Sequence, residues 1–498
     1  MPHRQVIAVI DVGSNSVRLL IARELSPAAF EVIDEERFDA RLAQGQEAGK
    51  ITGDGFERGL RALRVVTEVA ASYAPTTTVA VATEALRRAE NAHEFIAAVR
   101  NQTGITIRVL TAAEEAAASF LGTINSTLLR DGYIVDIGGG SLELMHVEGR
   151  ALVSSESAPL GAISATERHL IHDPPAEKEV RALRKAVRQA LQPAPSAPVL
   201  YGLGGAVRNL ARIVRLRRRY PLRRLHGLVI ERAELRRLAR DLAAIPADAR
   251  RKLPGVNPGR ADILHSAAIV LDEVMAMTRA PALIVSGQGL REGLVWQQLR
   301  REGSVLRDVR LASIAGLARA NGVDALAVEP VVSAAADLFE ATQSVHRLAP
   351  ADLDLLLHAA RLAGIGMHVD YYNRDRHAEY LVHSGDLHGF THREIVLLGA
   401  VVRWAIKGSP DLGPYKRIVE PGDTARVAVL AVLLGVARAI RRRNPTPVHD
   451  VALHLERKHL AVILKGGDGL EAELLAISRQ ARRFENVLGL ELRAGLHH

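Results

Sequence analysis

Residues 134–143 read IVDIGGGSLE, and residues 7–16 read IAVIDVGSNS. Both place an aspartate on an apolar strand and follow it with an aliphatic residue, a glycine, two small residues and a serine. Asp11 and Asp136 occupy equivalent places, 125 residues apart. A carboxylate buried on a strand is costly unless something compensates its charge. A turn stripped of side chains supplies the other half of the answer. Without a Cβ in the way, backbone N–H groups can surround an anion, and the serine adds a hydroxyl donor. The repeat implies a duplicated domain whose two turns face one ligand across a cleft.

The flanking pattern agrees. Apolar runs at 5–12, 16–23, 78–83, 105–110, 132–137, 141–147, 198–202 and 281–285 read as strands. Between them, 54–73 carries Phe56, Leu60, Leu63, Val66 and Ala70 at helical spacing. A helix is expected to start at NPGRADILHSAAIVLDEV, with Asn257 as N-cap and Pro258 at the first helical position. Strands alternating with helices define an α/β class. Beyond about residue 301 the pattern turns helical, at 331–342, 352–363, 392–406 and 424–442. NPTP (444–447) breaks it, and two alternating runs, a helix near 470–484 and a last strand suggest a small β-β-α-β appendage. The expected domains are lobe I (1–124), lobe II (125–300), a helical domain (301–443) and the appendage (444–498).

At 498 residues the chain has room for about three ordinary domains. Hydrophobic residues at 48% and charged residues at 24% fit a packed protein, and aromatics at 4% imply an aliphatic core. The chain has no cysteine, which excludes disulfides, zinc–thiolate sites and thiol catalysis. The start RQVIAVIDVG lacks the marks of a signal peptide, and no apolar run approaches the ~20 residues of a membrane helix. The expectation is a cytoplasmic protein with no membrane partner. A net charge of +9 rests on arginine, clustered at 215–219 (RLRRR), 223–224, 236–240 and 441–443. One such cluster is ordinarily a solvated helix face; together they favour a polyanionic partner. No nucleic-acid-binding signature accompanies the charge and stacking aromatics are scarce, so DNA and RNA are not expected as substrates.

Three glycine turns are candidate phosphate sites: Gly13, Ser14, Asn15 and Ser16; Gly138, Gly139, Gly140 and Ser141; and, in GLGGAVRN, Gly204 and Gly205 with Arg208. None matches the dinucleotide or Walker fingerprints. Asp11 and Asp136 repel phosphate, so they call for a cation. Oxygen ligands select a hard metal such as Mg²⁺, with Glu143 as a third carboxylate. In TAAEEAAASFLG, Thr111 and Glu114 form a capping box, which leaves Glu115 without a structural duty. Glu115 is therefore the candidate base that orients water for in-line attack. Arg87, at the end of VATEALR, is the candidate clamp on an equatorial phosphate oxygen.

These segments, with PLGAISATE, PGRADI and GLREGLV, span residues 5–297 and resemble the exopolyphosphatase/guanosine pentaphosphate phosphohydrolase family. The resemblance implies an actin-like fold of two ribonuclease-H-like lobes. It also implies Mg²⁺-dependent release of terminal orthophosphate from polyphosphate or from pppGpp. Its catalytic glutamate falls on Glu115 and its acidic pair on Asp136 and Glu143; Leu142 stands where the family often has threonine. Residues 301–440 look like the HD-like domain of longer members, with Ala363 and Gly364 where a His–Asp dyad would stand. The histidines at 368, 377, 383, 388 and 392 then read as structural or as lining a basic groove. Members of this length are generally dimers.

The favoured function is a processive exopolyphosphatase, with the helical domain holding a long anion. The alternatives are a pppGpp 5′-phosphohydrolase using the same machinery, an actin-like kinase or ATPase, and a non-catalytic polyphosphate or alarmone binder.

Overall fold

The computed structural model describes residues 5–42, 49–192, 199–300, 305–443, 445–467 and 469–497. It divides into two compact units, Met1–Val309 and Arg310–His498. The first expected position of the strand at 198–202 and Asn444 of the NPTP break lie outside the described residues.

The first unit contains two sheets. One is built from β1 (Val6–Val12), β2 (Val17–Ser26), β3 (Ala29–Phe38), β4 (Thr77–Ala82) and β5 (Arg108–Val109), in the order β3-β2-β1-β4-β5. The other adds β6 (Gly132–Ile137), β7 (Leu142–Glu148), β8 (Ala151–Ala158), β9 (Leu200–Leu203), β10 (Val229–Glu231) and β11 (Ala282–Val285), ordered β10-β11-β9-β6-β7-β8. In each, an antiparallel meander of three strands continues into parallel strands beside its first member. The repeated sequence motif is thus a repeated topology, an actin-like duplicated α/β domain. β1 and β6 lie near the centre of their sheets and are buried along almost their whole length, which explains their continuous apolar composition.

The strands absent from the sequence reading lie at or beside sheet edges. β3 (AFEVIDEERF) and β8 (ALVSSESA) are largely polar and partly exposed, and β10 has three residues. Polar edge strands suppress further pairing and, in doing so, lose the apolar alternation that announces a strand. The expected helix from Asn257 is corrected. Asn257 does cap, accepting from the Gly259 amide at 3.0 Å, but it closes only the 3₁₀ turn Pro258–Arg260. The α-helix begins at Leu264, leaving Arg260 in the intervening turn to face the cleft.

Helix Ala112–Ile124, capped by the Thr111–Glu114 box, packs on helix Leu290–Leu299 at backbone distance. A methyl on Gly293 would stand 1.8 Å from the Ala118 carbonyl oxygen, and one on Gly122 would stand 2.2 Å from that of Gly289. This contact seats the helix that carries Glu115.

The second unit is a helical bundle with a three-stranded sheet. Its principal helices are Ala325–Ala341, Pro350–Arg361, Arg374–Ser384, His392–Trp404 and Asp423–Ile440. β12 (Val448–Leu455), β13 (His459–Gly466) and β14 (Glu491–Leu496) form the sheet. Pro330 sits inside the first of these helices, which is why the sequence reading started it too late. The expected helix at 470–484 is two, Glu471–Ser478 and Ala481–Leu488. Ala363 and Gly364 fall in a turn past the end of Pro350–Arg361, with Gly364 at φ +110°. His383 packs its ring against Gly399 and hydrogen-bonds the Tyr415 hydroxyl at 3.1 Å; burial pushes it down to about 4, so it stays neutral. No helix among the described residues is long and apolar enough to cross a membrane.

Gly293→Ala is expected to destabilise the first unit by about 1–3 kcal/mol, because backbone cannot yield as a flexible side chain would. Urea unfolding should read this as a lower midpoint at constant slope; an unchanged midpoint would mean that the two helices can part freely.

Candidate active site

The two glycine turns share one geometry. The Gly13 amide donates to Ser16 O at 3.1 Å, and the Gly138 amide donates to Ser141 O at 3.0 Å. The turns also meet: a methyl on Gly139 would stand 3.1 Å from Ser14 Cβ. The carbonyls of Gly138, Gly139 and Gly140 accept from the amides of Ala162, Ile163 and Gly161, at 2.8–3.0 Å. Their acceptor sides are therefore occupied by protein, which suits an anion that must meet donors.

Between the turns lies a cleft of about 130 Å³. Its lining brings together Asp11, Gly13, Ser14, Asn15, Ser16, Glu115, Asp136, Gly138, Gly139, Gly140, Ser141, Gly204, Gly205 and Arg208. Glu143 and Arg87 are not among the described lining residues. Glu143 pairs directly across the β6–β7 hairpin from Asp136, on the same face of the sheet, and is buried there, where Ser157 Oγ donates to it at 3.2 Å. Arg87 stands behind Glu115. Its Nη1 donates to Glu115 Oε2 at 2.9 Å and to Leu110 O at 2.8 Å, so it orients the candidate base.

The electrostatics of the carboxylates follow from burial. Desolvation raises Glu115 to about 7; Arg87 opposes it, while Asp136 and Asp11 add to it. Desolvation raises Asp136 to about 6 against a hydrogen bond from Ser119 Oγ at 3.2 Å. Ser119 lies one helical turn beyond Glu115, so one helix face serves both carboxylates. Burial, then Glu115 and Asp136, raise Glu143 well above the carboxylate range, and burial raises Asp11.

The sequence reading missed the residues that make the cleft positive. Arg18, Arg260 and Arg291 line it beside Arg208. Arg291 is held by Glu35 at 2.7 Å. By contrast, Arg18, Arg208 and Arg260 take part in no ion pair among the described residues. Burial and neighbouring arginines depress all three, Arg18 to about 10 and Arg260 to about 9. Arg260 lies over the third glycine turn, where a methyl on Gly205 would stand 2.3 Å from its Nη2. Meanwhile several members of the arginine clusters are engaged on the surface: Arg217 with Asp241, Arg218 with Glu234 and Arg236 with Asp272. Isolated arginines within apolar surroundings, not runs of them, were the usable signal. Glu84 was also missed. It accepts from Arg88 at 3.0 Å, and a methyl on Gly140 would stand 1.3 Å from its Oε2, so it wedges against the second turn.

Among the described residues no group of three or more His, Cys, Asp or Glu side chains could hold a metal ion alone. Asp11 and Asp136 nevertheless suit a Mg²⁺ bound chiefly through water and substrate oxygens. Both are oxygen donors in the cleft wall, and burial makes their ionised forms unfavourable without a nearby cation.

Duplicated lobes with facing glycine turns, buried acids and unpaired arginines define an actin-like protein built to handle phosphoryl groups. Residues 20–302 match the Ppx/GppA phosphatase family, and residues 309–474 match domain III of Ppx/GppA phosphatases. The chain belongs to the Ppx/GppA phosphatase family. The Aquifex aeolicus Ppx/GppA family member is 28% identical, with a TM-score of 0.53 over 61% of this chain and 100% of that one. An exopolyphosphatase-like protein is 25% identical, with a TM-score of 0.55 over 60% and 99% of the two chains. An exopolyphosphatase from Cytophaga hutchinsonii shares the fold at 24% identity, with a TM-score of 0.56 over 59% of this chain and 98% of that one.

Arg87→Gln is expected to move the acid limb of the pH–rate profile to higher pH. Arg87 stabilises the ionised form of Glu115, so its removal raises that carboxyl further. A profile displaced to lower pH, or not displaced, would remove Arg87 as the partner that tunes Glu115.

Proposed function

We propose that the protein is a Mg²⁺-dependent exopolyphosphatase that removes terminal orthophosphate from inorganic polyphosphate. The observation carrying this reading is the set of arginines without ion-pair partners, Arg18, Arg208 and Arg260, in the same cleft as Glu115. They form an anion-binding wall facing the acids, as a phosphate chain requires. No aromatic side chain that could hold a nucleobase is among the cleft's described lining residues. On these grounds polyphosphate stands ahead of pppGpp.

In the proposed reaction the chain end lies against the glycine turns, with the next phosphates on Arg18, Arg208 and Arg260. Glu115, oriented by Arg87, accepts a proton from water as the new O–P bond forms. The bridging O–P bond breaks with its electron pair going to the bridging oxygen, the shortened chain leaves, and Glu115 gives its proton up to a departing phosphate oxygen or to solvent. Asp11 and Asp136, with Glu143 beside Asp136, would hold Mg²⁺, which when bound supplies neutralisation of the phosphoryl oxygens.

Orthophosphate release from long-chain polyphosphate should exceed release from pppGpp at equal phosphoryl concentration; near-exclusive turnover of pppGpp would reverse the assignment. Glu115→Gln is expected to lower kcat by about 10²–10⁴-fold while polymer binding changes little. A parallel loss of binding would make Glu115 structural.

Metal binding has a pH signature. A carboxyl raised in the folded state binds its proton more tightly there than when unfolded. Ionising Asp136 thus costs folded stability as pH climbs from about 4 through about 6. Mg²⁺ should remove that cost, so its thermal stabilisation should be larger at pH 7.5 than at pH 5. Equal shifts at both would exclude Asp136 as the group the metal relieves.

A further inference from the structure

The second unit holds a cavity of its own, of about 340 Å³, lined by Arg374, Arg438, Arg441, Arg442 and Arg479. No carboxylate is among its described lining residues. The neighbouring Arg443 is instead committed to Glu473, at 2.7 and 2.8 Å. Helices Glu471–Ser478 and Ala481–Leu488 are separated by Arg479 and Gln480, and this interruption brings both side chains to the cavity wall. Gln480 Oε1 and Arg441 Nε are buried without a hydrogen-bond partner among the described residues. Burial, and then Arg374, depress Arg438 to about 10. Several like charges around one hollow are costly unless an anion enters it.

The rest of the wall is apolar, including Val328, Val331 and Ile406. A bare phosphate chain gains nothing from such a surface. Outside the described lining, but joined to it through Arg374, is Tyr371: the Arg374 guanidinium lies 4.4 Å from the centroid of its ring and donates to its carbonyl at 2.8 Å. Tyr371 is 57% exposed and Tyr372 82%, an unusual pair of solvent-facing rings in a chain with eight tyrosines. Aromatic faces beside guanidinium groups suit a nucleobase attached to phosphates. The volume lies within the range of small-molecule sites.

We propose that this cavity is a binding site for a nucleoside polyphosphate, with phosphates on Arg438, Arg374 and Arg479 and the base reaching past Arg374 to the exposed Tyr371–Tyr372 pair. The cavity is built wholly from residues of the second unit, and the proposal does not depend on which substrate the cleft of the first unit takes. Hydrogen–deuterium exchange of the full chain with ATP as probe should protect peptides covering 371–380 and 435–443, where orthophosphate at the same concentration does not. Arg374→Gln combined with Arg479→Gln should weaken calorimetric ATP binding at this site about tenfold or more. Orthophosphate release from short polyphosphate without ATP should stay within about twofold of the parent. Matching thermal midpoints of parent and variant without ATP would separate lost binding from lost folding; if they differ, Tyr371→Ala provides the same comparison. Equal protection of these peptides by tripolyphosphate would overturn the nucleotide assignment in favour of a phosphate-chain groove. Protection confined to 11–18 and 136–141 would overturn the site itself.

Discussion

The active site depends on a hairpin register. Asp11 pairs across β1–β2 with Arg18, and Asp136 pairs across β6–β7 with Glu143, each seven residues on. Because side chains alternate across a pleated strand, directly paired residues share one face of the sheet. The glycine turn between them sets that pairing, and it does so identically in both lobes. What differs is the partner. Lobe I sets a cation beside its aspartate, whereas lobe II sets a second acid there. One fold unit used twice thus yields an anion-holding half and an acid-rich half, with the substrate cleft between them.

Burial then turns this asymmetry into chemistry. Lack of water raises Glu115, Asp136 and Glu143, and neighbouring carboxylates add to it: Asp136 and Asp11 at Glu115, Asp11 at Asp136, and Glu115 and Asp136 at Glu143. Arg87 is the exception that keeps Glu115 near neutrality, where a proton acceptor works best. On the other side, burial and then neighbouring arginines depress Arg18, Arg208 and Arg260, so a bound anion would favour their charged forms. The proposed phosphate chain with a divalent ion would relieve both sets at once. Neither half of the site is electrostatically complete by itself.

Much of the candidate site was legible in sequence because it rests on local rules. The Thr111–Glu114 cap formed as its spacing requires and left Glu115 free to face the cleft. The glycine turns lie where the apolar strands end. The less legible parts are those whose role depends on distant partners. Arg87 reads as a phosphate clamp until Leu110 O and Glu115 take its guanidinium. Arg18, Arg260 and Arg291 carry no local sign of function; they become a group only when β2, the 3₁₀ turn at Pro258–Arg260 and helix Leu290–Leu299 converge. Edge strands β3 and β8 escaped because their polarity, which guards the sheet, also hides it.

By itself the sequence determined the duplication, the phosphate turns, the capped helix and the identity of the candidate base, since each is encoded within a few neighbouring residues. Only the tertiary structure decided which arginines are left without acidic partners among the described residues, how deeply Glu143 is buried, and that Arg87 bonds to Glu115. Those outcomes depend on charges brought together from distant parts of the chain, as Arg18 and Arg291 are, and on how much water each one loses.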